Sequence, residues 1–496
     1  MHINQKKCTR STDGILRRTA LFILVTYVIL ALLFYFLADE QLHFRPSRGD
    51  FGFPVADSGI TELTSDTIVE QRFTNKIQRL EEISVQWGDS YHPNADTVTL
   101  GLYDPESGEL ILGETFDASV IGEGGVTTMK PSSPIEGFYR KPLLLRLSSD
   151  GKLGSSVTPW MRTETAGVEE ALQDSEIDMG DLTLNGERYP GILCFRVIGT
   201  DYIWSGLYYW RIVAAGFVFL LLGMVAVGLR YRRGRRSYLI NAVIAMEKYR
   251  FLIRQLVSRD FKTKYKRSIL GVFWSFLNPL LTMCVQYFVF STIFKSDVSN
   301  FAVYLLIGVV MFNFFSEACG MALTSILGNS SLITKVYMPK YIYPLTRVIS
   351  SLINLAISLI PLVIVCFVTG VRFQKSAVLS IYFLLCLVVF CLGLGLLLST
   401  SMVFFRDTQF LWSVLTMMWM YATPIFYPET ILPEKFSFVL TINPLYHFLK
   451  STRLCILDGI SPEPVVYIQC LLIALGMLLI GALIFHRHQD RFLLYL

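Results

Sequence analysis

The sequence contains none of the motifs that usually hold ATP phosphates or a catalytic metal. No GxxxxGK[ST] loop occurs in its 496 residues, and neither HExxH nor GxSxG is present. Of nine cysteines only Cys194 lies in the long acidic segment, residues 39–207, and no CxxC or Cys/His spacing occurs. We therefore predict no catalytic site, metal site or cofactor in this chain, and no internal disulfide in the acidic segment.

Charge is distributed very unevenly along the chain. The formal net charge is +5, but residues 39–207 hold 28 acidic and 13 basic residues, and the remainder holds 11 acidic and 31 basic ones. With 53% hydrophobic residues and a mean hydropathy of +0.48, the chain is too apolar for a soluble protein. Because the basic residues flank apolar segments, they indicate membrane topology and argue against nucleic-acid binding.

Eight apolar segments are long enough to cross a bilayer, which requires about 20 residues. We predict spans over Thr19–Ala38, Ile212–Leu229, 270–294, 301–325, 345–369, 377–404, 409–427 and 465–485. The first is too long for a signal-peptide core, and no small-residue cleavage pattern follows it. Within the external stretch 428–464, the apolar piece 436–449 is too short to cross, so we expect it to enter the membrane and return.

Basic residues before the first span and the run Arg230–Arg236 after the second determine the predicted orientation. By the positive-inside rule both termini are cytoplasmic, and residues 39–207 are outside. The bias is weaker in the second half, because Lys295, Arg372 and Lys375 fall on the external side.

Residues 39–207 show the alternation typical of β-strands with one buried face, as in Ile83, Val85 and Trp87. Turn signals such as Asn185-Gly186 separate the runs, so we predict an extracytoplasmic β-sandwich resembling a jelly roll. Its exposed aromatic residues are candidate glycan contacts: Trp87, Tyr91, Tyr139 and Trp160. Alternatively the domain is a spacer or docking module whose aromatic residues are core, which the alternating position of Trp87 favours.

Residues 247–267 have the pattern of a basic amphipathic helix, with Tyr249, Leu252, Ile253 and Leu256 on one face. Such a helix is suited to lie in the membrane surface, where its cations can meet the anionic phosphates of a lipid. The candidate phosphate contacts are Arg254, Arg259, Lys264 and Arg267. Glu317 lies within a predicted span near the inner leaflet. It is either a functional acid, or an acid at a helix end that reaches interfacial water or pairs with a basic residue.

Several motifs, spaced in order along the second half, carry a family resemblance. They are RDFKTKYKRSILGVFWSFLNPLL (259–281), YLLIGVVMFNFF (304–315), NSSLITKVYMPKYIYPL (329–345), FFRDTQFL (404–411), ATPIFYPETILP (422–433) and NPLYHFLKSTR (443–453). Residues 246–496 therefore resemble the membrane subunit of ABC-2 type exporters, the branch that exports O-antigens, teichoic acids and similar polysaccharides. The resemblance implies a six-span core, a homodimer, and two separate ATPase subunits that hold ATP and Mg²⁺.

The resemblance further implies that cytoplasmic connections dock the ATPase. The coupling candidates are Lys335, Val336, Tyr337, Pro339, Lys340, Arg406 and Asp407. Alternatively these are ordinary positive-inside connections. Aromatic faces can stack on sugars without requiring one register, so we expect Tyr287, Trp419 and Tyr421 to line the transport pathway, although aromatic residues also gather at membrane interfaces for structural reasons.

The chain is thus predicted to be a polytopic α-helical protein of the bacterial cytoplasmic membrane. Its predicted domains are a tail and first span (1–38), a β-sandwich (39–207), a second span with a basic stop (208–236), an interface helix (237–268) and a six-span core (269–496). The expected function is export of a lipid-linked cell-surface polysaccharide. The alternatives are export of a lipid or small molecule, and a membrane sensor with an external sugar-binding domain. A membrane glycosyltransferase or acyltransferase is disfavoured by the lack of acidic or histidine clusters.

Overall fold

The structure is a computed structural model that describes residues 2–51, 58–88, 97–121, 124–154, 156–163, 177–233, 238–266, 269–294, 300–335, 338–431, 433, 435 and 437–495. The chain divides into two units. A β-strand unit comprises His43–Tyr208, and a helical unit comprises Met1–Leu42 together with Tyr209–Leu496. The acidic segment identified in the sequence therefore corresponds closely to a separately packed unit.

The β-strand unit consists of short antiparallel strands. They are β1 (Phe44–Phe51), β2 (Ser58–Gly59), β3 (Ile68–Asn75), β4 (Arg79–Gln86), β5 (Thr97–Tyr103), β6 (Leu110–Asp117), β7 (Val126–Met129), β8 (Ile135–Glu136), β9 (Lys141–Ser149), β10 (Trp160–Arg162), β11 (Ile177–Leu184), β12 (Glu187–Tyr189), β13 (Ile192–Leu193) and β14 (Phe195–Tyr202). A 3₁₀ turn (Ala118–Val120) and a short helix (Trp204–Leu207) complete the described elements.

The strands form two larger sheets and one small one. One sheet has the order β1-β14-β4-β7, with β8 also paired to β4, and the other has the order β12-β11-β3-β9-β5-β6. Alternation places Val85 of the first sheet and Leu100 and Leu145 of the second in one shared apolar core, where all three are fully buried. The predicted alternating runs are therefore strands, and their apolar faces meet.

Trp87 lies in this core rather than on the surface. Its side chain is 0% exposed, and its indole Nε1 donates a hydrogen bond to Thr127 Oγ1 at 2.8 Å. The structure thus contradicts Trp87 as a candidate glycan contact. The alternation that places Ile83 and Val85 inside also places Trp87 inside, because residues two apart share one face of a strand.

The helical unit has fourteen described helices. They are α1 (His2–Ala38), α2 (Tyr209–Arg232), α3 (Tyr238–Lys248), α4 (Arg250–Tyr265), α5 (Phe273–Phe294), α6 (Phe301–Leu323), α7 (Ser330–Lys335), α8 (Ile342–Val368), α9 (Ser380–Phe404), α10 (Thr408–Ala422), α11 (Ser437–Ile442), α12 (Pro444–Arg453), α13 (Pro464–His488) and α14 (Phe492–Tyr495). Short 3₁₀ or π turns cover Asp39–Leu42, Leu327–Asn329, Lys375–Leu379, Glu429–Ile431, Leu454–Asp458 and Gln489–Arg491.

Among the described residues, seven helices are long and apolar enough to cross a membrane. They are α1, α2, α5, α6, α8, α9 and α13, and each corresponds to a span predicted from the sequence. The chain is therefore a polytopic helical membrane protein. In α6 most of the apolar window is buried within the protein, whereas none of the window of α1 or α2 is, so α6 is the central helix of this unit.

The predicted span 409–427 differs from the structure. Helix α10 ends at Ala422 after 15 residues, about 22 Å, which is less than the roughly 30 Å hydrocarbon core. Pro424 explains the end of the helix, because a proline disfavours helical backbone at the residue before it, and Thr423 is extended with ψ 129°. The chain continues through α11 and α12. These two helices cover most of the segment, 436–449, that was predicted to enter the membrane and return.

Helices α9 and α13 pack closely because glycines lie at their contact. A Cβ atom on Gly393 would overlap the backbone of Leu478, and one on Gly481 would overlap the carbonyl of Gly393. Small residues of this kind allow two membrane helices to approach backbone to backbone. This contact holds α13 against α9.

The first two spans pack on each other and on the rest of the helical unit. Tyr27 donates its hydroxyl to the Val213 carbonyl at 3.0 Å, and Tyr209 donates to the Ala31 carbonyl at 2.6 Å. Phe34 packs edge-on against Tyr467 of α13, with ring centroids 4.9 Å apart. The N-terminal span is therefore a packed part of the helical unit, not a free anchor.

Candidate functional site

Helix α4 carries most of the candidate phosphate contacts. Its surroundings in the structure differ from those predicted. The predicted continuous helix 247–267 is broken at Tyr249, which caps α4 after α3 has ended at Lys248. Leu256 is buried in a cluster with Ile326 and Ile342, from the region connecting α6 to α8. The apolar face therefore packs against protein rather than lipid, because periodicity indicates a buried face but not what covers it.

A buried carboxylate joins α4 to α8. The Asp260 side chain is 3% exposed and lies 3.2 Å from Arg347 Nη1, measured to Oδ2. Its other oxygen lies 2.9 Å from Nη2 of the neighbouring Arg259, which also donates to Asn329 Oδ1 at 3.0 Å. A carboxylate at this depth is stable only when paired, and here the pair connects two helices.

A second ion pair joins α4 to α6. Lys264 Nζ lies 2.8 Å from Glu317 Oε1, and Asn354 of α8 donates its Nδ2 to the same oxygen at 2.6 Å. Tyr265 donates its hydroxyl to Asn354 Oδ1 at 2.9 Å. Of the two interpretations of Glu317, the structure thus supports pairing with a basic residue. We call these contacts, together with those of Asp260, the inner cluster: Arg259, Asp260, Lys264, Tyr265, Glu317, Asn329, Arg347 and Asn354.

The candidate phosphate contacts differ from one another in their surroundings. Lys264 pairs with Glu317 of α6, and Arg259 pairs with Asp260 of its own helix and donates to Asn329, so both side chains have partners within the protein. Arg254 is exposed and stays free of that cluster. Arg267 lies outside the described residues.

The coupling candidates also differ in exposure and in their contacts. Lys335 is exposed at the end of α7, whereas Lys340 donates to the Gln489 carbonyl at 2.5 Å, close to the ring of Phe492. Partial burial lowers the pKa of Lys340, which Asp490 partly opposes. Pro339 is half-buried beside it, and Val336 and Tyr337 lie outside the described residues.

Arg406 and Asp407 are both exposed in the turn between α9 and α10. The backbone carbonyl of Asp407 accepts the first amide bonds of α10, at 3.0 Å from Phe410 and 3.1 Å from Leu411. The turn therefore presents two exposed charges at a fixed helix start.

A second polar cluster, which the sequence analysis missed, surrounds the end of α10. Arg453 of α12 is 6% exposed, and its guanidinium donates to the carbonyls of Pro424 at 2.6 Å, Ile425 at 3.0 Å and Tyr304 at 3.1 Å. It also lies over the Tyr304 ring, 3.4 Å from the centroid. The sequence feature that could have indicated this cluster is an arginine next to an apolar segment. Burial of its charge is costly unless the protein provides hydrogen-bond acceptors.

Asn443 completes this arrangement. Its Oδ1 accepts bonds from the Leu445 amide at 3.1 Å and from Trp419 Nε1 at 2.8 Å, while its Nδ2 donates to Thr423 Oγ1 at 2.8 Å. One amide thus caps α12 and holds the end of α10. We call this group the outer cluster: Tyr304, Trp419, Thr423, Pro424, Ile425, Asn443 and Arg453.

The three predicted pathway aromatics have different surroundings. Trp419 is part of the outer cluster, and its ring packs edge-on against Phe315 at 5.1 Å. Tyr421 is 62% exposed on α10, and Tyr287 is 44% exposed on α5. Only these two have a largely free ring.

The remaining glycan candidates also differ from one another. Tyr139 is 41% exposed, with the Arg140 guanidinium 5.4 Å above its ring, and Trp160 is half-buried. Tyr91 lies outside the described residues. Within the described part of the chain no three His, Cys, Asp or Glu side chains are grouped as a metal site would require.

The helices and their charged connections define a polytopic membrane protein in which ion pairs attach α4 to α6 and α8. Residues 252–457 match the family model described as ABC-2 type transporter. An O-antigen export system permease protein RfbA of Klebsiella pneumoniae is 30% identical over 244 residues, 49% of this chain and 93% of that protein. A second RfbA of the same species is 32% identical over 209 residues, 42% of this chain and 81% of that protein.

A more distant relative is the polysialic acid transport protein KpsM of Escherichia coli, 23% identical over 249 residues, 49% of this chain and 95% of that protein. The chain belongs to the ABC-2 type transporter family, which confirms the resemblance predicted from its second half. It is accordingly a multi-pass protein of the cytoplasmic membrane. These matches cover about half of the chain.

Proposed function

We propose that this chain is the membrane subunit of an exporter that carries a lipid-linked cell-surface polysaccharide out of the cell. It works as a homodimer with two separate ATPase subunits. The relatives named as O-antigen and polysialic acid transport proteins support the substrate class. The observation that carries the mechanism is the inner cluster, because it attaches α4 to both α6 and α8 through ion pairs.

The inner cluster can transmit a movement of the ATPase to the membrane-spanning helices. A force applied to the cytoplasmic connections, at Lys335, Lys340 or the Arg406-Asp407 turn, reaches α8 and α9 directly. Through Asp260 and Lys264 it also moves α4 together with α6 and α8. Rigid helices linked by paired charges can move as one body, which is what conversion of ATPase closure into transport requires.

In the proposed topology the chain crosses the membrane eight times. Seven crossings are the long helices, and the eighth is a broken crossing formed by α10 with α11 and α12. Non-helical backbone within a membrane must be satisfied by protein, and Arg453 and Asn443 satisfy the carbonyls and hydroxyl at the break. Both termini are cytoplasmic, and the β-strand unit is an external β-sandwich.

The exposed face of α10 supports a pathway or subunit interface beside it. Large apolar side chains point out of the chain along its length, with exposed fractions of 72% at Phe410, 61% at Met418 and 62% at Tyr421. Two copies facing each other through α5 and α10 would place Tyr287 and Tyr421 along a shared conduit. There their rings could stack on sugar faces.

The β-strand unit contributes either polymer binding or docking. Tyr139 and Trp160 remain candidate glycan contacts, since Trp87 is in the core. Binding of cell-surface glycans to the purified full chain, compared between the wild type and a Tyr139→Ala variant, tests this role. Equal binding by both would favour docking.

The test of coupling is replacement of residues 335–337 by Gly and Ser. We expect surface polysaccharide to be lost while the amount of membrane-inserted protein is unchanged. The conservative Lys335→Arg variant is the matched control and should export normally, because it keeps the cation. Unchanged export by the Gly/Ser variant would refute the coupling role.

A further inference from the structure

An apolar cavity of about 300 Å³ lies where the external ends of α6, α8 and α9 meet. Val310 of α6, Leu362 and Cys366 of α8, and Leu384 of α9 form its buried wall. Thr452 contributes its polar part from α12. A cavity of this size is at the lower end of the range for ligand sites and has room for one alkyl chain.

The cavity opens on the outer surface of the helical unit. Its rim residues Val363, Phe373, Val378 and Ile381 are exposed by 42%, 42%, 43% and 54%, although all are large and apolar. Val363 and Ile381 belong to helices long enough to span the membrane, so this opening is at the depth of hydrocarbon. The opening therefore faces the alkyl chains of the surrounding lipid.

A cation lies in the turn that forms one edge of the cavity. Helix α8 ends in a left-handed Gly370 with φ +75°, and the Val371 amide donates back to the Cys366 carbonyl at 3.0 Å. The chain then runs through exposed Arg372 into Phe373 and Gln374, which both line the cavity. The turn thus holds a guanidinium next to an apolar opening.

The charges of this turn are unusual for an external connection. Cations are normally enriched on the cytoplasmic side, yet Arg372 and Lys375 both precede α9 on the proposed external side. Lys375 is accounted for, because its Nζ lies 2.8 Å from Asp39 Oδ2 at the end of α1. Arg372 has no ion pair within the part of the chain that the structure describes. A phosphate is the partner that an arginine fork matches.

We propose that this cavity binds one acyl chain of an anionic glycerophospholipid from the outer leaflet, and that Arg372 binds its phosphate. The leaflet assignment rests on the proposed topology, but the binding itself does not depend on polysaccharide export. The site lies among α6, α8 and α9, apart from the exposed faces of α5 and α10. It would fix the external ends of three spans by filling the space between them.

Lipid binding to the purified full chain tests this directly. The chain is stripped of lipid in detergent and titrated with phosphatidylglycerol or with phosphatidylcholine of identical chains, and bound lipid is counted by native mass spectrometry. We expect the wild type to prefer phosphatidylglycerol, and Arg372→Gln to reduce that preference about tenfold, because one charge-assisted contact is removed. Lys435→Gln, another exposed external cation, is the control.

Filling the cavity tests the acyl chain separately. Leu362→Trp should abolish binding of both lipids, whereas Ile480→Trp, on the exposed face of α13, should leave binding unchanged. If Leu362→Trp fails to fold, Ile381→Trp at the exposed rim serves instead. Export activity is not part of this readout, so its loss would leave the result interpretable.

Four outcomes would overturn the proposal. Arg372→Gln could keep the wild-type lipid preference, or both filling variants could bind lipid as the Ile480→Trp variant does. A polyprenyl phosphate that displaces phosphatidylglycerol at lower concentration would identify a different lipid. Cross-linking of Val363→Cys between two copies in lipid-free dimers, with lipid unable to prevent it, would show that a second copy covers the opening.

Discussion

The inner and outer clusters solve the same problem of polar groups within a membrane protein in different ways. In the inner cluster, carboxylates pair with cations across helices, as in Asp260 with Arg347 and Glu317 with Lys264. In the outer cluster, the cation Arg453 meets backbone carbonyls and an aromatic ring. One cluster therefore joins helices through pairs of side chains, and the other joins α12 to α6 and to a broken segment through backbone carbonyls.

This difference has a mechanical meaning. Ion pairs between side chains link α4 to α6 and α8, so a displacement of one of these helices is passed to the others. The carbonyls of Pro424 and Ile425 lie in a non-helical turn, so Arg453 cannot leave them without taking a donor away from buried polar groups. We infer that the inner cluster transmits motion and that the outer cluster keeps the break at Thr423–Pro424 fixed.

The largest effect should come from removing the guanidinium of the outer cluster. Arg453→Leu removes the guanidinium that donates to three buried carbonyls, and we expect it to lower the free energy of unfolding by about 3 kcal/mol or more. Thermal unfolding of the detergent-purified chain measures the loss. Lys450→Leu, one turn earlier on α12, is the control, because its pair with Glu429 is half exposed and contributes about 1 kcal/mol or less.

Lysine in place of Arg453 sharpens this comparison. A lysine keeps the positive charge but cannot reach three carbonyls with a planar fork, so most of the loss should remain. Full stability of Arg453→Lys would show that charge alone holds the turn, and the two clusters would then be alike.

The next largest effect should come from the buried carboxylate of the inner cluster. Asp260→Asn and Arg347→Gln should each destabilise the chain by about 3 kcal/mol, because each removes one charge from a mostly buried ion pair. In a double-mutant cycle the second change should cost much less than the first. Hydrogen exchange should rise in α4 and stay low in α6, while Lys262→Gln on the exposed face of α4 should change neither. Additive effects would contradict the pairing.

Glu317→Gln should have a smaller effect that depends on salt. The glutamine can still accept the hydrogen bond from Asn354, but the attraction to Lys264 is lost, at about 1 kcal/mol or less since both side chains are partly exposed. Unfolding at low and high ionic strength checks this, and the difference from wild type should shrink in high salt. A loss of several kcal/mol, independent of salt, would show a dry and rigid pair instead.

A similarly small effect is expected at Trp419. Trp419→Phe keeps the ring packing on Phe315 but removes the bond to Asn443, so stability should fall by about 1 kcal/mol and export should follow stability alone. Tyr421→Ala, at an exposed ring on the same helix, should reduce export with little change in stability. A large export defect in Trp419→Phe at normal stability would assign that residue to the pathway.

Much of the architecture follows from local patterns in the sequence. Apolar length predicts seven helices of span length, and period-two alternation predicts the buried faces of β4, β5 and β9. The end of α10 could also have been predicted, because Pro424 restricts the backbone of Thr423. The apolar run continues past Pro424, however, and therefore suggested one continuous span. The family resemblance of the second half rests on spaced motifs, and the comparisons confirm it.

The candidate site was only partly predictable, because its contacts join residues far apart in the chain. The sequence selects Arg259 and Lys264 as cations on α4, yet their partners lie on other elements, as Asn329 and Glu317 do. Arg453 was missed because its acceptors are backbone carbonyls, which every residue has. Trp87 shows the converse error, since aromatic character suggested a binding role where strand alternation already placed the ring inside.

The most direct test of the account separates ATP hydrolysis from transport. The full chain and its ATPase subunit are reconstituted in proteoliposomes with the lipid-linked polysaccharide, and both activities are measured for wild type and Asp260→Asn at equal amounts of folded, assembled protein. The account predicts that the variant assembly still hydrolyses ATP while polysaccharide translocation is lost. Translocation that keeps the wild-type ratio to ATP hydrolysis would contradict it.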